Sequence, residues 1–129
     1  MRFNKLIPEL TVTNIEKSRI FYENLGFKVM YERKEDKFIF LELNQNQIMI
    51  QEDNDVWGTG PLEYPFGRGI NISMEVKNVE EIKQNLLKIN YPLFQDIKES
   101  VYRVNEKEYV DKEFLVQDPD GYLLRFTEE

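Results

Sequence analysis

The chain contains neither cysteine nor histidine. Without cysteine, disulfides, thiolate nucleophiles and cysteine-based metal sites are excluded. Without histidine the chain lacks the commonest general base and the commonest protein ligand of zinc, iron and nickel. Ser18, Ser73 and Ser100 therefore have no imidazole to activate them as nucleophiles. Positive charge is short as well: 17 Lys and Arg against 24 Asp and Glu leave a formal charge of −7, the wrong sign for a nucleic-acid partner. An acidic surface keeps a protein soluble, and it favours a cationic partner where it lines a concavity. No apolar run approaches membrane-spanning length, and the opening MRFNKLIPEL has no signal-peptide apolar region. The expectation is a cytoplasmic protein with no membrane partner.

What is present suits one domain of 129 residues with a real core. Lys5–Thr13 alternates as a strand, with Pro8 suggesting an edge or a hinge. Asn14 is an N-cap, Ile15–Leu25 an amphipathic helix, and Gly26 its C-terminal stop. Strands are expected at Phe27–Arg33, Phe38–Leu43 and Gln47–Glu52, split by the polar turns Lys34–Lys37 and Asn44–Asn46. Residues 1–53 thus spell βαβββ. Residues 54–68 form a Gly- and Pro-rich linker carrying Trp57, Tyr64 and Phe66.

Residues 69–129 repeat the pattern: strand Gly69–Val76, N-cap Asn78, helix Val79–Ile89, then strands around Leu93–Val104, Tyr109–Asp118 and Tyr122–Thr127. An offset of 64 sets Val12-Thr13-Asn14-Ile15-Glu16 on Val76-Lys77-Asn78-Val79-Glu80, and Leu25-Gly26-Phe27 on Ile89-Asn90-Tyr91. After longer loops an offset of 76 sets Ile48-Met49-Ile50-Gln51-Glu52 on Leu124-Arg125-Phe126-Thr127-Glu128. In both halves one face is apolar (Leu6, Leu10, Val12, Ile48 and Ile50; Ile72, Met74, Val76, Leu124 and Phe126). The opposite face is polar with scattered apolar residues (Ile7, Glu9, Thr11, Met49; Asn71, Ser73, Glu75, Arg125). Either that second face simply meets water, or the sheets curl into a wet cleft with these side chains aimed inward.

Three segments stand in order: Pro8–Asn14, Phe21–Phe27 and Glu113–Phe126, the last reading EFLVQDPDGYLLRF. With the repeat they resemble the glyoxalase/bleomycin-resistance/dioxygenase (vicinal oxygen chelate) superfamily. The resemblance implies an α+β fold of two tandem βαβββ modules forming a curled sheet cleft. In metal-using relatives four ligands come from the first and last strands of each half, positions held here by Ile7, Met49, Asn71 and Arg125. Ile7 and Met49 offer a hard cation nothing, Asn71 offers one weak carbonyl, and Arg125 repels it. No metal or other cofactor is expected. What remains resembles the bleomycin-resistance branch: metal-free homodimers that sequester a flat cationic drug, conferring antibiotic resistance. In that branch the first strand is exchanged between subunits about a proline, which Pro8 matches.

The ligand-binding candidates are Glu9, Met49, Trp57, Asn71, Glu75, Tyr102 and Arg125. Trp57 is a stacking wall for a planar ligand or a cover for the core edge. Met49 is a cleft contact or core filler. Glu9 and Glu75 are a cation-binding pair or solvated carboxylates. Arg125 is an anion site or a structural partner of Glu9 or Glu75. The Asp118–Gly121 turn is structural. The expected function is metal-free binding of a drug-like small molecule. The alternative is a degenerate or metal-independent enzyme, a glyoxalase-like lyase or isomerase or a dioxygenase-family enzyme, with Glu9, Glu75 or Tyr102 as acid/base.

Overall fold

A computed structural model describes residues 1–129. Helix α1 (Ile15–Leu25) starts where the Asn14 side chain accepts from the Lys17 N–H at 3.0 Å. It stops at Gly26, whose φ of 115° lies in the left-handed region. Helix α2 (Val79–Lys88) starts the same way, with the Asn78 side chain accepting from the Glu81 N–H at 3.1 Å. Asn90, the repeat counterpart of Gly26, also takes a positive φ, 55°.

The strands are β1 (Glu9–Val12), β2 (Lys28–Arg33), β3 (Phe38–Leu43), β4 (Asn46–Glu52), β5 (Asn71–Val76), β6 (Gln95–Val104), β7 (Lys107–Gln117) and β8 (Leu123–Glu128). They form two four-stranded sheets, ordered β1-β4-β3-β2 and β5-β8-β7-β6. In each sheet the first strand runs parallel to the last and the remaining pairs are antiparallel. The register reproduces the sequence offsets: Glu9 pairs with Met49, and Ser73 with Arg125.

Period-two alternation then decides what is buried. Leu10, Val12, Ile39, Leu41, Ile48 and Ile50 from the first sheet, and Met74, Val76, Phe114, Val116, Leu124 and Phe126 from the second, meet the apolar stripes of both helices in one core. Each fully buried aliphatic or Phe side chain there contributes about 1.5–3 kcal/mol before the chain's entropy cost is counted. The first strand is shorter than the expected Lys5–Thr13. The Pro8 carbonyl accepts from the Met49 N–H at 2.9 Å, but Pro8 has no N–H to donate, so the ladder stops there and Leu6, expected in the core, is 87% exposed.

The two repeats hold each other by equivalent contacts. Asp120 accepts from the Thr13 N–H at 3.1 Å and its hydroxyl at 2.6 Å, while Asn44, 76 positions earlier, accepts from the Lys77 N–H at 3.0 Å. The Tyr122 hydroxyl donates to the Thr11 carbonyl at 2.9 Å, and the Asn46 amide to the Glu75 carbonyl at 2.8 Å. Glu52 and Glu128 receive the first helical N–H groups, those of Ile15 and Val79. The Asp118–Gly121 turn sits at this junction. Gly121 has a φ of 97°, and a Cβ there would lie 2.5 Å from Pro65, so the linker crosses the turn at backbone distance. No helix is long and apolar enough to cross a membrane.

Candidate functional site

The faces opposite the core are the candidate surface. On the first sheet the register sets Glu9 beside Met49, Met49 beside Phe40, Phe40 beside Tyr31 and Phe38 beside Arg33. Tyr31 stacks on Phe40 with centroids 5.2 Å apart and planes at 14°, and the Arg33 guanidinium lies 4.0 Å over the Phe38 ring. Phe40 is fully buried although it faces away from the helices, because Phe3 meets it edge-on at 5.4 Å. Polar contacts also fasten the N-terminal segment there, the Asn4 amide donating to the Gln45 carbonyl at 2.7 Å. Gln47 accepts from the Asn4 N–H and donates to the Arg2 carbonyl, both at 2.7 Å, using its amide as a neighbouring strand would use a peptide.

On the second sheet Arg125 donates from Nε to Glu113 at 2.7 Å, not to Glu9 or Glu75 as expected. In the β7–β8 hairpin Glu113 opposes Thr127 and Leu115 opposes Arg125, so Glu113 is the diagonal neighbour on Arg125's own face. Arg125 is pushed above its ordinary value, the Glu113 hydrogen bond being the main cause and the Glu113 and Asp111 charges adding to it. Tyr102 stacks on Tyr109 across β6–β7, with centroids 5.5 Å apart and planes at 20°.

Between the first strands of the two repeats lies a cavity of about 380 Å³ lined by Asn4, Leu6, Pro8, Asn46, Gln47, Ile48 and Asn71–Met74. Its lining is amide and apolar, with no charged side chain, and its size falls in the range of small-molecule sites. Asn71 is the one ligand candidate that lines it. Glu9 and Glu75 are exposed and follow lining residues Pro8 and Met74 in the chain. Met49 is half-buried beside Glu9, and Tyr102 lies out on the β6–β7 hairpin. Trp57 is 68% exposed in the linker and stacks on no other ring.

The donor set does not fit a divalent metal. Ile7 has no donor, Met49 a soft thioether, Asn71 one neutral carbonyl, and Arg125 a cation already paired with Glu113. Acid/base chemistry finds its shifted carboxyl elsewhere. Burial pushes Asp118 up to about 6, against the pull of hydrogen bonds from the Tyr22 hydroxyl and the Tyr122 and Asp120 N–H groups. Tyr22 is fully buried and is pushed well above its ordinary value by burial and by Asp118. This pair ties α1 to the β7–β8 turn and lies on the helix side, away from the open face.

Sequence reasoning missed Glu113, Gln47, Tyr31, Phe40 and Tyr109 as parts of this surface. The signal for Glu113 was present: the turn Asp118–Gly121 fixes the hairpin register, and the register places Glu113 diagonal to Arg125. The Gln47 contacts span more than 40 residues and leave no local signature.

No family model matches the chain, and none of the curated proteins compared with it matches. Solved structures do. A glyoxalase/bleomycin resistance protein/dioxygenase superfamily member from Vibrio splendidus 12B01 is 30% identical over 94% of this chain and 95% of its own, with a TM-score of 0.43. The likeness to it lies in the residues along the chain. A hypothetical protein from S. aureus superposes with a TM-score of 0.72 at 20% identity, over 100% of this chain and 96% of its own. A bleomycin-binding protein in complex with bleomycin gives 0.66 at 16% identity, over 98% and 99%. These last two share the fold.

Proposed function

This chain belongs to the glyoxalase/bleomycin-resistance/dioxygenase superfamily, and we propose that within it the protein binds a flat, cationic small molecule and releases it unaltered. The observation that carries this reading is the state of Arg125. An unpaired guanidinium on the open face would repel a cation, and Glu113 neutralises it at 2.7 Å. The other three positions that hold metal ligands in relatives carry side chains unsuited to a divalent ion, so the surface is left to bind rather than to activate a substrate.

The ligand's core would enter the amide-lined cavity beside Asn71, with Glu9 and Glu75 supplying negative potential at its rim. Flat rings would meet Tyr102, Met49 and, from the linker, Trp57; each cation–π or stacking contact is worth about 0.5–2 kcal/mol when desolvated. Sequestration of this kind is what would give drug resistance, and it suits a cytoplasmic homodimer. Exchange of the first strand at Pro8 is one route to that dimer; in the single chain β1 pairs with its own β4.

The reading is tested by titrating planar cations, planar anions and neutral planar molecules into the protein and into Trp57→Ala, Tyr102→Ala and Glu75→Gln. Cations alone should bind, and Glu75→Gln should weaken them by about threefold to tenfold. Binding confined to anions or neutral molecules overturns it.

A further inference from the structure

Strand β6 is the outer strand of the second sheet, with no neighbour on one side. Native edges are protected by proline, bulges, charged side chains, short length or a covering element. This strand runs ten residues without proline, and its only irregularity is the register shift between Gln95 and Lys98. Beyond that shift, Glu99 to Val104 is an open edge whose two charges, Glu99 and Arg103, are of opposite sign and so do not repel a second copy running antiparallel. Most of its side chains are exposed, with Val101 at 64%.

The backbone fixes which groups point outward. Val104 and Lys107 close the two-residue loop Asn105–Glu106. Bonded and non-bonded pairs alternate from that closing pair, so Glu99, Val101 and Arg103 turn their N–H and C=O groups away from β7. These three residues share one face, with Glu99 and Arg103 two positions either side of Val101. Neither charge has a partner within the chain. Opposite Glu99 stands Lys112, which reaches to Glu80 on α2, and opposite Arg103 stands Glu108 without an ion pair.

We propose that β6 pairs antiparallel with β6 of a second copy of this chain, about a two-fold axis through Val101, joining their second sheets into one. This rests on the homodimer proposed above and names its interface. The axis sets Val101 against the partner's Val101, with the outward backbone groups of both exchanging hydrogen bonds. It also sets Glu99 against the partner's Arg103 and Arg103 against the partner's Glu99, two ion pairs made from the two unpartnered charges of each chain. An axis at Glu99 or Arg103 would oppose like charges. One at Ser100 or Tyr102 would leave both charges unmatched, and one between residues would face outward backbone groups with inward ones. The residues themselves select the register.

Light scattering at micromolar concentration should give twice the 15.6 kDa chain mass. Glu99→Arg and Arg103→Glu should each weaken association by about tenfold or more, and the double exchange should restore it, at unchanged circular dichroism. Val101→Cys introduces the chain's sole thiol, at a pair whose Cα atoms would be about 5.5 Å apart. Oxidation should give a covalent dimer on a non-reducing gel, and Val104→Cys should not. A monomer overturns both this proposal and the homodimer. A dimer indifferent to the charge variants, not rescued by the double exchange, or not cross-linked through Val101 overturns the β6 interface and leaves a different one, such as exchange at Pro8, in its place.

Discussion

Arg125 donates from Nε to a Glu113 oxygen 2.7 Å away, across the two adjacent strands of the C-terminal hairpin. Glu113 is nearly enclosed whereas Arg125 is over a third open to solvent, so the two partners are not equivalent. Removing the arginine strands a buried carboxylate; removing the carboxylate leaves a guanidinium that water can still reach.

The first expected outcome follows from that asymmetry. Arg125→Gln should lower the free energy of unfolding by about 1–3 kcal/mol in urea titrations, and Glu113→Gln by clearly less. Equal losses, or a larger loss for Glu113→Gln, would show that the pair is not holding a desolvated carboxylate.

The second concerns pH. Burial raises the Asp118 carboxyl from 3.8 to about 6 in the folded chain, so the native state holds this proton more tightly than the unfolded chain does. Its contribution to stability is complete below about 4 and is lost as pH rises through about 6, by roughly 3 kcal/mol at most. Asp118→Asn keeps an acceptor for the Asp120 and Tyr122 N–H groups and has no proton to lose. Thermal melts from pH 4 to 7 should therefore show the wild type falling relative to this variant. Parallel curves, or a wild type that gains, would contradict the assignment.

The third uses the two-fold relation of the repeats. Asp120 accepts two hydrogen bonds from Thr13, and Asn44 accepts one from Lys77. Asp120→Ala should cost about 2 kcal/mol and Asn44→Ala about 1 kcal/mol in the same urea titration. Reversal of that order would mean the junction is not held by these contacts.

The fourth concerns the N-terminal segment. Gln47→Leu removes the amide that grips Arg2 and Asn4 while keeping bulk at the position. Hydrogen exchange at the Asn4 N–H should speed up by at least about tenfold, with little change in the exchange of the core strands. An unchanged Asn4 rate would place the grip on Phe3 and Phe40 instead.

Most of the fold is legible in the residues because its signals are local. Asn14 and Gly26 mark α1 to the residue, and period two separates Leu10, Ile48 and Phe126 from Glu9, Met49 and Arg125. The offsets that align the repeats predict the strand register, since Glu9–Met49 and Ser73–Arg125 are one pair seen twice. Long-range relations are less legible. Alternation tells which face a side chain takes and says nothing of what lies across from it, so the sequence leaves Arg125 open between an anion site and a partner of Glu9 or Glu75, whereas its partner in the fold is Glu113. Leu6 fits the apolar alternation yet lies beyond the ladder, because Pro8 interrupts the hydrogen bonds that would have fixed its face. Trp57 sits in a segment with no period at all, so alternation assigns it no face, and in the fold it is exposed.

The most direct measurement is calorimetric titration of metal-free bleomycin into protein stripped with a chelator, at low and high salt, with mass spectrometry of the recovered ligand. Saturable binding without added metal, weakened by salt, with the ligand returned at unchanged mass, is the expected result. Binding that appears only when a divalent metal is restored, or a ligand recovered with altered mass, would contradict the account.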